Sequence, residues 1–454
     1  MKAVLALAPR LQRSGGSLTT ALAVVAFAVT TAMGLSVLGG LLGFIDRADR
    51  VPEGLDSHGV SAHENAELYV ILATIAVVLL VVPLVSLAGA AARMGVARRD
   101  ARLATLRLLG VTAREVRVVT AVETAAQGLA GAVLGIAGYG LLMPVWTRIS
   151  FQGRPFDAGE LWVGFAGIGG ALVVVPLVAA ASALVSLRRV VVSPLGVARR
   201  QTPPALSWLR TLGLLAAVGA FGLVVGAAGG MPQMIAVALL VGLLGTVFAT
   251  LNLVGPWIVG VVGRVMAAAA RTPATLLAAR RLTDDPRAAW RVVGGLGMAA
   301  FVAGCLSVLP MFETTGEDPA ADVITRDIVT GGVLTLAIAF AVAAVSAGIM
   351  QASSVLDRKR EYALQRLAGA PVELFDAARR REVLAPLLLV TGTSSGVALL
   401  LVVLVIGTSG VTNVSGLALV LGFLAGGVAL MLAATESSRP LLRSVLRETV
   451  VRAD

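Results

Sequence analysis

The side chains able to do chemistry are few, and they stand at fixed places in a largely apolar chain. Glu123 and Glu382, 259 positions apart, each sit near the start of a long apolar run with an arginine close by, Arg117 or Arg381. A carboxylate deep in a bilayer points to a proton or ion path, whereas one at the bilayer edge reaches water or pairs with a cation. An interfacial ion pair is the expectation for both. His58 and His63 share a polar stretch with Asp56, Glu64 and Glu67. These are zinc-ligand types, but their spacing fits no standard zinc pattern, and no metal is expected. Cys305 is the only cysteine, so no intrachain disulfide forms and no thiolate metal site is suggested. A phosphate-binding loop of the form G-x-x-x-x-G-K-[ST] needs a lysine after glycine, and neither Lys2 nor Lys359 follows one. Nucleophile elbows, H-E-x-x-H and a G-x-G-x-x-G in a βαβ context are absent too. The chain is not expected to be an enzyme, and it carries no cofactor of its own.

The elements that hold these residues are membrane spans. Hydrophobic residues make up 57% of the 454 positions and charged ones 14%, and the mean hydropathy is +0.90. That balance is far from a soluble domain and defines an all-α integral membrane protein. The net charge of +11 does not indicate a nucleic-acid partner: aromatic content is 4%, and the arginines lie in short spacers between apolar runs. Spans are expected near 18–44, 68–92, 121–145, 161–187, 211–229, 233–262, 292–311, 329–351, 384–406 and 414–434. Two of the breaks rest on turn residues inside long uncharged stretches, Gly229-Gly230-Met231-Pro232 and Gly407-Thr408-Ser409-Gly410. The spacers 93–117, 188–210, 264–291 and 352–381 and the C-terminal tail are arginine-rich, while 46–67 and 312–328 are acidic overall. The positive-inside rule then gives about ten transmembrane helices with both termini cytosolic. The apolar stretch Ala3–Ala8 is too short for a signal-peptide core, so the N-terminus is expected to stay in the cytosol.

The 259-residue offset that relates the two glutamates also aligns the segments before them. Arg99–Gly110 (RDARLATLRLLG) lies over Arg358–Gly369 (RKREYALQRLAG), with Ala104/Ala363, Arg107/Arg366, Leu108/Leu367 and Gly110/Gly369 identical. In the first copy Gly110 suits the close of a helix, and Thr112-Ala113-Arg114-Glu115 is a capping box that opens the next one. The second copy breaks at Gly369-Ala370-Pro371, with proline suited to a first helical turn. These two repeat-related spacers are thus expected to be helix–break–helix elbows, each joining two spans. A solvated loop would explain its charge but not the repeated break in register. Beyond the first elbow, Gly128, Gly131, Gly135 and Gly138 fall on one face of the third span, a small-residue surface for close helix packing.

At the elbows the chain resembles the FtsX-like/MacB-like permeases of ABC transporters, marked by a segment of the type R-x-E-x-A-L-x-R-A-L-G-A after the second span of a four-span unit. Arg358–Ala370 carries this pattern, and Arg98–Val111 departs from it at Arg102, where the pattern has an acid. Leu277–Arg287 is similar to the family's lead-in to the first span of a unit. The resemblance implies one four-helix unit over 1–200, a central helix pair over 201–271 and a second unit with a cytosolic tail over 272–454, as in the ten-span subgroup. It further implies a bacterial cytoplasmic-membrane permease served by two copies of an ABC ATPase, which bind ATP and Mg and dock on the elbows. The residues implied in coupling are Arg102, Arg107, Gly110, Thr112 and Glu115 in the first, and Glu361, Arg366, Gly369 and Pro371 in the second. The expected cargo is an amphipathic small molecule, peptide or lipid, exported or extracted from the bilayer. The large extracytoplasmic domain of many relatives is missing between these spans. The alternative is an ATPase-driven signalling element that regulates an extracytoplasmic partner without moving cargo. An ATP-independent secondary transporter would need ionisable groups at mid-membrane, where these spans are nearly free of charge.

Overall fold

Long apolar runs bounded by arginine and by Gly or Pro fold as helices because a bilayer leaves backbone groups no partner outside the segment itself. The computed structural model describes residues 17–50, 62–93, 112–188, 209–307, 319–357, 361, 364–365, 367–369, 371–407 and 414–437. The first four spans are α1 (Ser17–Asp49), α2 (Ala62–Arg93), α3 (Ala113–Trp146) and α4 (Gly164–Arg188). Between α3 and α4 lies a short hairpin, β1 (Ser150–Phe151) and β2 (Arg154–Pro155), paired antiparallel. The central pair is α5 (Leu209–Ala227) and α6 (Gln233–Ala268), separated by a 3₁₀ turn at Ala228–Gly230. Pro232 caps α6, so the chain breaks within Gly229–Pro232, where the turn residues place it. A shorter helix, α7 (Pro273–Asp284), leads into α8 (Pro286–Cys305), α9 (Pro319–Asp357), α10 (Val372–Ile406) and α11 (Val414–Ser437).

Among the described residues, eight helices meet length and apolarity limits for crossing a membrane outright. The apolar parts of α8 and α11, Val292–Cys305 and Val420–Ala433, are shorter. Their helices still run 20 and 24 residues, or about 30 Å and more at the α-helical rise. The result is an all-α integral membrane protein of about ten spanning helices. The apolar part of the seventh span starts at Val292 as expected but ends at Cys305 and not at 311, and its helix opens earlier, at Pro286. Asp285 caps it by accepting the Ala288 N–H at 2.9 Å, so a local cap, and not the onset of apolarity, sets its start.

Helices α1–α4 pack as one group around the α1–α3 and α3–α4 contacts, and α8–α11 as another around α8–α10 and α8–α9. The two groups meet where α9 lies on α2 and α1. The central pair leans on the second group: α6 contacts α8 and α10, with the Phe248 and Phe301 rings 5.0 Å apart and Trp290 Nε1 donating to Asn252 at 2.8 Å. Gly255 and Gly294 make room for the Trp290 ring, and Gly297 for Val390 of α10.

The glycine face of α3 seats two neighbours. A Cβ at Gly131 or Gly135 would strike α1 at Phe27 or at Thr31 and the Ala28 carbonyl, and one at Gly128 would strike Ala179 and Pro176 of α4. Gly138 is looser, with Ala32 Cβ 3.3 Å away. Apolar tails offer no hydrophobic reward for helix association in lipid, so such close backbone approach supplies the packing energy. Leu134, Leu141, Leu177 and Leu223 are exposed on spans and face the hydrocarbon.

Candidate functional site

At the end of the bundle expected in the cytosol, α3 and α10 begin at repeat-equivalent residues. Thr112 is the N-cap of α3 with φ −72° and ψ 153°, and Pro371, 259 positions later, is the N-cap of α10 with φ −71° and ψ 152°. The chemistry differs. Thr112 Oγ1 accepts the Glu115 N–H at 3.3 Å, while its own N–H and hydroxyl donate to Glu115 Oε2 at 3.0 and 2.8 Å. Those bonds hold the exposed Glu115 carboxyl below its usual value. Pro371 makes no side-chain cap and relies on its fixed φ.

Before Pro371, the Ala368 N–H bonds to the Leu364 carbonyl at 3.0 Å and closes a last helical turn. Gly369 follows at φ +88°, a left-handed conformation that suits glycine. Leu364 and Leu367 are 55% and 69% exposed, and Glu361, Gly369, Pro371 and Glu373 are exposed beside them. The elbow therefore offers two leucines to water at a membrane surface, next to an open cleft lined by Glu373, Asp376, Ala377, Arg380 and Arg381. Of the other residues expected in coupling, Arg102, Arg107, Gly110 and Arg366 lie outside the described residues.

The two glutamates differ from each other. Glu382 pairs with Arg281 of α7 at 3.4 Å, both side chains largely buried, and not with Arg381. Successive helical residues diverge by about 100°, so Arg381 points elsewhere and donates to the hydroxyls of Thr272 and Thr275 at 2.5 and 2.6 Å. Both contacts tie α10 to the lead-in helix, and Arg380 adds a 2.9 Å bond to Glu436 of α11. Glu123 is half-buried and has no ion pair among the described residues. Arg117 is six positions away, about 9 Å along the axis on another face, too far to serve it.

At the opposite end, the segment between α3 and α4 carries a structure of its own. Gln152 and Gly153 form the hairpin turn with φ 57° and 74°, the signature of a two-residue type I′ loop. A non-glycine residue held left-handed costs about 1–3 kcal/mol, so the surroundings must hold Gln152 there. Arg47, at the end of α1, does much of that. Its guanidinium donates to the Phe151 carbonyl at 2.8 Å, the Pro155 carbonyl at 2.9 Å and Glu160 Oε2 at 2.9 Å, and stacks 4.0 Å from the Phe156 ring. Arg154 adds a 2.7 Å bond to Glu160. Burial by itself would raise the Glu160 carboxyl, but the bonds from Arg47 and the Asp157 N–H, with the charges of Arg47 and Arg154, outweigh it and hold it at about 2. Phe44, Tyr69, Phe151 and Phe156 pack as an aromatic lid around this ion pair. From the second group, Asp327 of α9 accepts the Tyr69 hydroxyl at 2.7 Å and the Gln152 N–H at 2.5 Å. The partners are 113 and 258 positions apart in the pairs Arg47–Glu160 and Tyr69–Asp327, beyond the reach of local pattern. The one available signal was Gln152-Gly153 between Phe151 and Arg154, a hairpin-type dipeptide.

Among the described residues no group of three or more His, Cys, Asp or Glu side chains could hold a metal ion, and His58 lies outside them.

Fold and site together define a multi-pass membrane protein, consistent with the bacterial plasma membrane, whose polar features gather at the two faces of the bilayer. Residues 70–192, from α2 through α4, match the family described as FtsX-like permease C-terminal. Over this stretch the chain is similar to the FtsX-like permeases. Permeases of this family are membrane components of ABC-type systems and generally pair with ABC ATPase subunits. No curated protein and no solved structure matched the chain.

Proposed function

We propose that the chain is the permease subunit of an ABC transporter, with two copies of a separate ATPase docked on its two elbows, Arg102–Glu115 and Glu361–Leu374. The observation that carries this reading is the pair of N-caps, Thr112 and Pro371, with the same backbone geometry at the same place in the two helix groups. Two equivalent cytosolic breaks suit two equivalent partners. Each break starts a helix that crosses the whole bilayer, α3 with 34 residues and α10 with 35, or about 50 Å. A push on either elbow is transmitted along the helix it starts, and the glycine face of α3 couples that helix closely to α1 and α4.

In this reading the partner ATPases bind ATP and Mg, and their closure brings the elbows together. Arg107 and Arg366 meet the ATPase surface, Gly110 and Gly369 shape the turns, and Thr112, Glu115, Glu361 and Pro371 set the start of the driven helices. Arg102 adds a cation to the first elbow where the second has Glu361. The exposed Leu364 and Leu367 are the apolar contacts of the second docking surface. The two groups over 1–200 and 272–454 rock against each other, with the pair over 201–271 moving with the second. The cargo is an amphipathic small molecule, peptide or lipid that enters from the bilayer.

The test is purification of the tagged chain from its native membrane in gentle detergent, with mass spectrometry of the proteins that come with it. Two P-loop ATPase copies per chain are expected. A chain that purifies intact with no ATPase, even after crosslinking, would overturn the reading.

A further inference from the structure

We infer that Asp327, Tyr69 and the Gln152 turn form an external clasp that holds the seam between the two helix groups shut on the outer face, and that its release opens the seam to that side. The inference goes beyond the proposed transport role and holds whatever drives the chain. Asp327 belongs to α9 of the second group and is 6% exposed, yet the hydrogen bonds that compensate its buried carboxylate come from the first group, from the Tyr69 hydroxyl and the Gln152 N–H. Parting the two groups takes both donors from that carboxylate at once.

The acceptor's partner is built for the purpose. The Gln152 N–H reaches Asp327 because its backbone is left-handed, and that turn is anchored by Arg47 through the Phe151 and Pro155 carbonyls. The first group thus presents a rigid donor, not a loose loop. Phe151, on the same turn, rests against α9 at Gly331, 3.6 Å from where a Cβ would stand. Asp327, Gly331 and Thr335 recur every fourth residue and form one stripe of α9, with the Thr335 hydroxyl bonded to the Gly331 carbonyl at 2.8 Å. Thr335 is buried at 6% exposure, one turn deeper than the Phe151 contact. At the other end of the bundle, the pairs Arg281–Glu382 and Arg380–Glu436 join elements of the second group and its lead-in helix, so they do not oppose separation of the groups.

The experiment reads the seam directly. In the full-length chain with Cys305→Ser, Thr335→Cys reports access to a membrane-impermeant sulfonated maleimide added to the outer face of spheroplasts. Losing a hydrogen bond to a charged group shifts an opening equilibrium by about tenfold or more, and labelling that waits on opening follows the open population. Tyr69→Phe and Asp327→Ala are each expected to speed labelling by about that factor, while Gly140→Ala, at an open position of α3, leaves it unchanged. Tyr69→Phe removes one hydroxyl and decides the matter if Asp327→Ala does not reach the membrane. Labelling at the parental rate in a folded Tyr69→Phe chain, or acceleration seen only from the cytosolic face, would overturn the clasp.

Discussion

The two helix groups agree in the middle and differ at their edges. From the elbow into the third helix they keep one register: α3 starts after Thr112 and α10 after Pro371, and both run the width of the bilayer. The register is lost beyond: the first group places a hairpin capped by the Arg47–Glu160 pair between α3 and α4, whereas α10 of the second closes at Gly407 with φ +80°. Before the register begins, the second group has α7 clamped to α10 by Arg281–Glu382. The shared part is what two identical partners would need. The unshared parts place one polar anchor at one end of the bundle on the first group and one at the opposite end on the second.

That contrast can be broken experimentally. The largest effect is expected from Arg47→Ala, which strands the buried Glu160 and should cost about 3–5 kcal/mol of stability, read as a drop in Tm of the detergent-solubilised chain. A fall no larger than that of an exposed arginine such as Arg50 would remove the anchor from the account. Next, Gly135→Ala meets the Thr31 side chain and the Ala28 carbonyl, with an expected cost of about 1–3 kcal/mol, while Gly140→Ala, with nothing near its added methyl, should change stability by less than about 0.5 kcal/mol. Equal effects would contradict the packing assigned to α3. Thr112→Ala removes the cap of the first elbow at about 1 kcal/mol, and no counterpart loss is available at Pro371, which makes no side-chain cap.

The pH dependence sharpens the same comparison. Glu160 sits near 2 when folded, against 4.5 when unperturbed, so its contribution to stability is complete above about 4.5 and is lost as pH falls toward 2. The parental chain should lose stability more steeply over that window than Glu160→Gln, compared by thermal unfolding at matched ionic strength.

Much of the architecture was legible because membrane helices declare themselves by apolar length and by arginine at their cytosolic ends. The breaks at Gly229–Pro232 and Gly407 were readable from residues with special backbone freedom, and the N-caps from Thr112-x-x-Glu115 and Pro371. The span held by α8 ends at Cys305, short of the expected 311, and its helix opens before the apolar run because Asp285 caps it. The partner of Glu382 could not be read, since the nearest arginine in sequence points to another face of the helix and Arg281 arrives from a helix about a hundred positions earlier. The external lid was invisible for the same reason: Arg47, Glu160, Tyr69 and Asp327 each look like ordinary loop or span-end residues until the fold brings them together.

The central claim is that both elbows face an ATPase. The most direct measurement places a photo-crosslinking amino acid at Arg114 in the first elbow, at Leu367 in the second and at the lipid-facing Leu141 as a control, with the captured proteins identified by mass spectrometry. The account predicts the same P-loop ATPase from Arg114 and Leu367 and none from Leu141. An intact, membrane-inserted chain that captures no ATPase from either elbow would contradict it.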